Sequence, residues 1–218
     1  MTLEIDRGKT TFRYAFSVVE DLKAWLDSQQ DLTGFCFAGR SNVGKSSLIN
    51  SLFGNGTART SKTPGRTREI NIFSFQLLDN ENDEEPKLYY LFDLPGYGFA
   101  KVSKEMSQNW HELIGTVFGS ITEKVGVVNL QDARHPNLEA DFAFHDFLKN
   151  YDLPTFLAFN KIDKLKRQKD RASLEKLKPK LFSEYEWVKQ IHFVSAEKRK
   201  GVPKLEEALV DFLLEFEK

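Results

Sequence analysis

The chain is poor in the residues that build disulfide, metal or membrane proteins. Its one cysteine, Cys36, cannot form an intramolecular disulfide, which favours a reducing compartment, and we expect this thiol to be a core residue. The histidines are scattered without metal-ligand spacing: His111, His135, His145 and His192. No apolar run approaches the ~20 residues of a membrane span, and the first ten residues lack a signal-peptide core. These absences predict a cytoplasmic protein.

Neither sign of charge is in excess, but the charges are unevenly distributed. Lysine and arginine number 31 against 32 acidic residues, so no overall field attracts nucleic acid. Residues 161–180 nevertheless hold nine basic and three acidic residues, and three more cations follow at 198–200. Residues 79–85 are acidic and predict an exposed hairpin tip. The basic stretch is either a solvated helix face or a contact for RNA.

Residues 39–46 contain a complete phosphate-loop motif. They read GRSNVGKS, after the apolar run 35–38 and before the helix-like segment 47–53. Glycines let the backbone turn its N–H groups toward phosphate oxygens, and the helix N-terminus adds positive potential. Lys45 is expected to reach the β- and γ-phosphates, and Ser46 to ligate Mg²⁺. The alternative is a simple glycine turn. The predicted contacts are Gly39, Arg40, Ser41, Asn42, Val43, Gly44, Lys45, Ser46 and Ser47.

Two later segments predict that the base is guanine. Residues 160–163 read NKID after an apolar run, and 194–196 read VSA after another. Asp163 can accept hydrogen bonds from guanine N1–H and the 2-amino group, whereas adenine would leave the carboxylate unpaired. Asn160 is expected to tie this motif to the phosphate loop, and the Lys161 stem to lie along the base. The predicted base contacts are Asn160, Lys161, Ile162, Asp163, Val194, Ser195 and Ala196.

The segments between these motifs are typical of the γ-phosphate sensors of a GTPase. An apolar strand ends in DLPG, in which Asp93 is expected to hold Mg²⁺ through water and the Gly96 N–H to contact the γ-phosphate. Residues 60–69 carry Pro and Gly without hydrophobic period, and we assign them as switch I. Thr67 is the preferred second Mg²⁺ ligand, with Thr63 as the alternative. These predictions cover Asp93, Leu94, Pro95, Gly96, Gly65, Arg66, Thr67, Arg68 and Glu69.

Four longer strings closely resemble the EngB family of bacterial GTPases, from about residue 12 to the end of the chain. They are GRSNVGKSSLIN, ARTSKTPGRTREINIF, DLPGYGFAKV and DARHP. The resemblance implies a small monomeric GTPase that binds GTP and GDP with Mg²⁺. It also implies assistance in assembly of the large ribosomal subunit, through rRNA and ribosomal proteins, and a link to cell division and septation. Asn160, where the family often has threonine, and Glu69 are modest departures that put nothing in doubt.

Alternating strands and helices predict an α/β three-layer P-loop NTPase, the GTPase G domain. We expect a mostly parallel six-stranded sheet with one antiparallel strand from the first hairpin, and helices on both faces. Residues 1–30 are predicted to be an N-terminal extension whose helix, 18–28, packs on a single EngB-type G domain at 31–218. Further helices are predicted at 45–52, 106–118, 138–150, 171–182 and 202–216. Strands are predicted near 35, 70–77, 88–92, 125–130, 155–159 and 190–194.

The residue after the DLPG motif bears on the catalytic mechanism. Many GTPases place there a glutamine that orients water, and here Tyr97 stands instead, which predicts slow intrinsic hydrolysis. Catalysis is then assigned to Lys45, Thr67, Gly96 and the metal. Asn42 either ligates a K⁺ ion, as its counterpart does in related GTPases, or caps the loop.

Two questions about function stay open. Tyr97 and Phe99 either pack onto the domain or form an RNA- and protein-binding surface beside the basic 161–180 stretch. The chain is either a ribosome-assembly switch or a GTP-dependent interaction protein of the division apparatus. An ATPase or nucleotide kinase is disfavoured by Asp163.

Overall fold

The structure is a computed structural model and describes residues 3–59, 69–78, 87–98 and 104–217. Residues 60–68 of switch I, the acidic segment 79–85 and Phe99 lie outside the described residues. Within the described ranges the strands are β1 (Glu4–Ile5), β2 (Thr11–Phe16), β3 (Gly34–Gly39), β4 (Ile70–Phe75), β5 (Leu77–Leu78), β6 (Tyr89–Asp93), β7 (Val125–Asp132), β8 (Thr155–Asn160) and β9 (Gln190–Phe193). The α-helices are α1 (Val19–Asp27), α2 (Lys45–Phe53), α3 (Lys104–Ser120), α4 (Glu139–Leu148), α5 (Gln168–Glu184) and α6 (Val202–Leu214).

Seven strands form the main sheet, in the order β2-β4-β6-β3-β7-β8-β9. Strand β4 is antiparallel to both neighbours, and every other neighbouring pair is parallel. The predicted antiparallel strand is therefore confirmed. The sheet has one strand more than the six expected, because β2 adds itself to the edge beside β4. Strand β2 carries aromatic residues at alternate positions, Phe12, Tyr14 and Phe16, but it is exposed along most of its length and its register shifts between Phe12 and Tyr14.

Alternation along the buried strands sends side chains to two separate cores. In β3, Phe35 and Phe37 join the core under α2 and α6, whereas Cys36 and Ala38 join the core under α1, α3 and α4. Helix α5 covers Leu157 and Phe159 at the β8 end of that second face. Helices thus cover both faces, as predicted. Cys36 is fully buried and unpaired, and burial raises the pKa of its thiol.

The N-terminal residues contact the rest of the chain through several elements. Strand β1 pairs with β5, and the buried Glu206 of α6 accepts hydrogen bonds from the Ile5 N–H and the Arg7 guanidinium. On the opposite face α1 buries Leu22 and Leu26. The division of the chain at residue 30 stays a prediction.

Parallel strands bring the predicted ligand segments to one edge of the sheet. The carboxyl ends of β3, β6, β7, β8 and β9 lie side by side, and the loops that follow them carry the motifs. Among the described helices, none combines the length and apolar character needed to cross a bilayer.

Candidate nucleotide-binding site

The phosphate loop links the end of β3 to the start of α2 through two left-handed residues. Asn42 has φ 63° and Gly44 has φ 97°. A Cβ on Gly44 would lie 2.5 Å from the Asn160 side-chain nitrogen, so only glycine fits there. Val43 is buried in the hydrophobic core and anchors the loop to the domain. This turn places the first amides of α2 where a phosphate can meet them.

Lys45 and Asp93 form an ion pair at the centre of this edge. Lys45 is the first residue of α2, and Asp93 is the last residue of β6. The Lys45 ammonium donates to Asp93 Oδ1, and both side chains are almost fully buried. The contact places a cation and a carboxylate beside the phosphate loop, where triphosphate and metal chemistry need them.

The donors at this position fit Mg²⁺. Asp93 offers a carboxylate and Ser46, next to Lys45 on α2, a hydroxyl, both of them hard oxygen ligands. Thr67, the other predicted ligand, lies outside the described residues. The described residues contain no group of three or more His, Cys, Asp or Glu side chains that could hold a metal. A small number of protein oxygen ligands beside a phosphate loop is typical of a Mg²⁺ site, because Mg²⁺ keeps water molecules and substrate phosphates as its other ligands.

Asn160 connects the base side of the site to the phosphate side. Its Nδ2 donates to the Val43 carbonyl at 3.1 Å, and its Oδ1 accepts from the Ala196 N–H at 3.0 Å. The side chain is buried, so both hydrogen bonds are shielded from water. One amide therefore holds the phosphate loop, the NKID segment and the 195–196 loop together.

Lys161 crosses the same gap in a left-handed conformation, with φ 67°. Its ammonium donates to the Asn42 carbonyl and, at 3.1 Å, to Asp132 Oδ2. Burial alone would raise the pKa of Asp132, but hydrogen bonds from Arg134 and Lys161 outweigh burial and lower that pKa to about 2. Asp132 belongs to the DARHP segment, and it fixes the lysine that is predicted to line the base.

Asp163 is held by Ser195 and Lys164. The Ser195 hydroxyl donates to Asp163 Oδ1 at 2.6 Å, and Lys164 Nζ lies 3.1 Å from Oδ2. Burial works against the charged form, yet the bonds from Ser195 and Lys164 prevail and lower the pKa of Asp163. The carboxylate is therefore an ionised acceptor, as recognition of guanine N–H groups requires. The Ser195 and Ala196 N–H groups donate to the Lys200 carbonyl and Asn160 Oδ1.

Comparison with known proteins decides the family. A model described as 50S ribosome-binding GTPase matches residues 35–161. The probable GTP-binding protein EngB of Gemmatimonas aurantiaca is 44% identical over 69% of this chain and 69% of its own length. The protein of the same name from Halothermothrix orenii is 37% identical over 84% of this chain and 86% of its own. The chain belongs to the EngB family. It is a GTP-binding protein with a GTPase role.

Solved structures agree with the G-domain fold. A crystal structure of a probable EngB protein superimposes with a TM-score of 0.61 at 26% identity, covering 84% of this chain and all of that one. Aquifex aeolicus Era bound to GDP·AlF4⁻ gives a TM-score of 0.66 at 22% identity, over 84% of this chain and 57% of the Era chain. The Era likeness concerns the fold alone. The predicted α/β P-loop GTPase class is confirmed.

In this EngB chain Tyr97 is a core residue. It is only 6% exposed, and its ring stacks on Phe144 with centroids 4.5 Å apart. Its hydroxyl donates to Asp141 Oδ1 at 3.1 Å and accepts from Asn129 Nδ2 at 3.1 Å. The alternative of a surface pair of Tyr97 and Phe99 is therefore wrong for Tyr97, because two buried hydrogen-bond partners and a ring fix it inside the domain.

A polar cluster around Asp141 was not foreseen from the EngB motifs. Arg40 Nε donates to Asp141 Oδ1 at 2.9 Å, and the Leu138 N–H donates to Oδ2 at 3.1 Å. Burial raises the pKa of Asp141 although Arg40 opposes the shift. The cluster links the phosphate loop to α4. In the sequence, Asp141 and Phe144 are three residues apart, a spacing that places them on one face of a helix. That spacing alone does not identify Arg40 as a partner.

Proposed function

We propose that this EngB-family chain is a GTP-dependent switch that hydrolyses GTP slowly and acts in assembly of the large ribosomal subunit. A linked role in cell division and septation, as a cytoplasmic monomer, belongs to the same proposal. The observation that carries the nucleotide assignment is the Asn160 bridge, which joins the phosphate loop to the 195–196 loop, whose Ser195 hydroxyl donates to the ionised guanine acceptor Asp163. Such a carboxylate would be left unpaired by adenine.

Each group of site residues has its own role in binding or hydrolysis. Asp163 and Ser195 hold the base, while Lys161 lies along it. Lys45 and the amides of residues 42–47 stabilise the negative charge of the phosphates. Mg²⁺, held by Ser46, Asp93 and Thr67, would neutralise charge on the phosphate oxygens. The Gly96 N–H contacts the γ-phosphate in this proposal, and the backbone of Gly96 lies close to the phosphate loop, since a Cβ there would be 3.0 Å from Ser41 Oγ.

Slow hydrolysis follows from Tyr97. Both hydrogen-bonding functions of its hydroxyl are occupied by Asp141 and Asn129 inside the core, so the side chain does not orient an attacking water. We propose that K⁺ at Asn42 stimulates the reaction. Asn42 is exposed and has a left-handed conformation within the phosphate loop, which supports this part of the proposal.

The ribosomal partner is supported by the description of the matching family and by charge. The family model is described as a 50S ribosome-binding GTPase, and 50S denotes the large ribosomal subunit. Within residues 161–180, however, several cations have internal roles. Lys164 pairs with Asp163 and Glu197, and Arg167 pairs with Asp170. These two are therefore poor choices for testing an RNA contact.

The exposed cations Lys166, Lys169 and Lys176 are the better probes. Changing all three to glutamate should weaken co-sedimentation with large-subunit precursors, because phosphate contacts depend on positive charge and on salt. Binding of the original chain should be stronger with GDPNP than with GDP and should decrease as salt is raised. Nucleotide affinity should not change in the triple variant.

A matched control carries the same charge reversal elsewhere. Lys9, Lys87 and Lys204 are exposed and lie outside the basic stretch. If both triple variants bind particles equally well, the basic stretch is only a solvated helix face. If the original chain binds no particle in either nucleotide state but captures division proteins with GDPNP, the alternative role at the division apparatus is favoured.

A further inference from the structure

Ser41 has a buried hydroxyl that the fold itself does not use. Its Oγ is inaccessible to solvent and has no hydrogen-bond partner among the described residues. Nearly all buried polar side-chain atoms in native proteins are hydrogen-bonded, and an exception in a ligand loop points to a role in binding or catalysis. Ser41 lies in the phosphate loop between Gly39 and Gly44.

The hydroxyl faces the residue that marks the γ-phosphate. A Cβ on Gly96 would lie 3.0 Å from Ser41 Oγ and 3.3 Å from the Gly39 carbonyl oxygen. Ser41 Oγ and the Gly96 backbone are therefore immediate neighbours. Since the Gly96 N–H is the proposed contact of the γ-phosphate, the hydroxyl lies at the same end of the loop.

The other polar groups nearby are already engaged. The Ser41 N–H donates to the Tyr97 carbonyl at 3.1 Å, and the Tyr97 N–H donates to the Gly39 carbonyl at 3.3 Å. The Tyr97 hydroxyl is held in the core by Asp141 and Asn129. Neither the Ser41 amide nor the tyrosine can serve the γ-phosphate without losing these bonds. The Ser41 hydroxyl has no such bond to lose, and rotation about its Cα–Cβ bond can turn it toward a phosphate oxygen.

We propose that Ser41 is a catalytic residue whose hydroxyl donates a hydrogen bond to an oxygen of the γ-phosphoryl group, an inference that rests on the proposed GTPase function. In the reaction a bond forms between the water oxygen and the γ-phosphorus, and the bond to the β–γ bridging oxygen breaks. GDP leaves with that electron pair, and the water proton passes to the phosphate. Ser41 transfers no proton. It stabilises charge on the transferring group, which GDP lacks.

The test compares Ser41→Ala with the unsubstituted chain and with Ser173→Ala, an exposed serine on α5. Ser41→Ala should lower the ratio of GDPNP to GDP affinity roughly tenfold and slow single-turnover GTP hydrolysis by at least about tenfold. Its melting temperature without added nucleotide should not decrease, because the variant removes a buried hydroxyl that has no partner. Ser41→Cys, with a weaker donor of similar size, should give intermediate values.

Each outcome separates this inference from the proposed function. A folded Ser41→Ala variant with an unchanged affinity ratio and hydrolysis rate overturns the role of the hydroxyl. Equal losses of GDP and GDPNP affinity also overturn it, since they would show that the serine only shapes the loop. If the unsubstituted chain itself neither prefers guanine nucleotides nor hydrolyses GTP, the proposed function fails first.

Discussion

Removing one oxygen atom from Tyr97 should measurably destabilise the protein. Tyr97→Phe deletes a donor to the fully buried Asp141 and an acceptor for the fully buried Asn129. Asp141 keeps its bonds from Arg40 and Leu138, but Asn129 Nδ2 loses this partner. A hydrogen bond to a charged group contributes about 1.5–3 kcal/mol, and a stranded buried donor costs about 1–3 kcal/mol, so a net loss of about 2 kcal/mol is expected after partial relaxation.

Thermal unfolding without added nucleotide measures this loss. For a domain of 150–250 residues, each kcal/mol corresponds to about 2–4 °C, so the melting temperature should fall by about 4–8 °C. Tyr14→Phe is the matched control, because Tyr14 is exposed on the edge strand and its change should stay within about 0.5 kcal/mol. Equal melting temperatures for the two variants would refute the claim that Tyr97 is an anchor. A double-mutant cycle with Asp141→Asn would then show no coupling.

Three further changes test the guanine contact, switch I and the histidines His145 and His192. Asp163→Asn should weaken GTP binding by about 2–3 kcal/mol and improve xanthosine triphosphate binding, measured by calorimetry; unchanged GTP affinity would exclude Asp163 as the guanine acceptor. Thr67→Ala should lower GDPNP affinity but not GDP affinity in the same assay, since this threonine is expected to engage only with the γ-phosphate, and equal losses would point to another ligand. Burial lowers the pKa values of His145 and His192 from 6.5 to about 4, so the unfolded chain binds protons there before the folded chain does. The unfolding free energy from urea titrations should therefore decrease as the pH falls from about 6.5 to about 4. This decrease should be smaller in His192→Gln than in the unsubstituted chain, whereas His135→Gln should leave it unchanged. Identical pH dependence in all three proteins would contradict the assignment.

Sequence spacing predicted the secondary structure that carries the motifs, because phosphate and base contacts demand fixed residue types at the ends of buried strands. Residues 35–38 are apolar and precede glycine, which predicted β3 and its loop. The helix predicted at 106–118 is α3, and the strand predicted at 125–130 is β7, each within a few residues of its bounds. A long periodic pattern of apolar residues predicts a helix or strand reliably, because the buried face of the element must be apolar.

Long-range partners could not be predicted in the same way. Arg40 and Asp141 are 101 residues apart, and nothing in their local pattern links them. Tyr97 directly follows the DLPG motif, which predicts a loop, and only the fold shows that its ring packs against Phe144. Strand β2 has an alternating pattern in Phe12, Tyr14 and Phe16, but its partner β4 and the shift in their register are not contained in that pattern. These features depend on tertiary contacts, which a local window of sequence does not contain.

The double hydrogen bond of Asn160 has a consequence for the kinetics of nucleotide exchange. Because the same amide holds Val43 and Ala196, the guanosine end of a bound nucleotide cannot loosen without disturbing the loop around its phosphates. We therefore expect the base and the phosphates to leave together. A partner that distorts either the 195–196 loop or the phosphate loop should then shorten the residence time of the whole nucleotide.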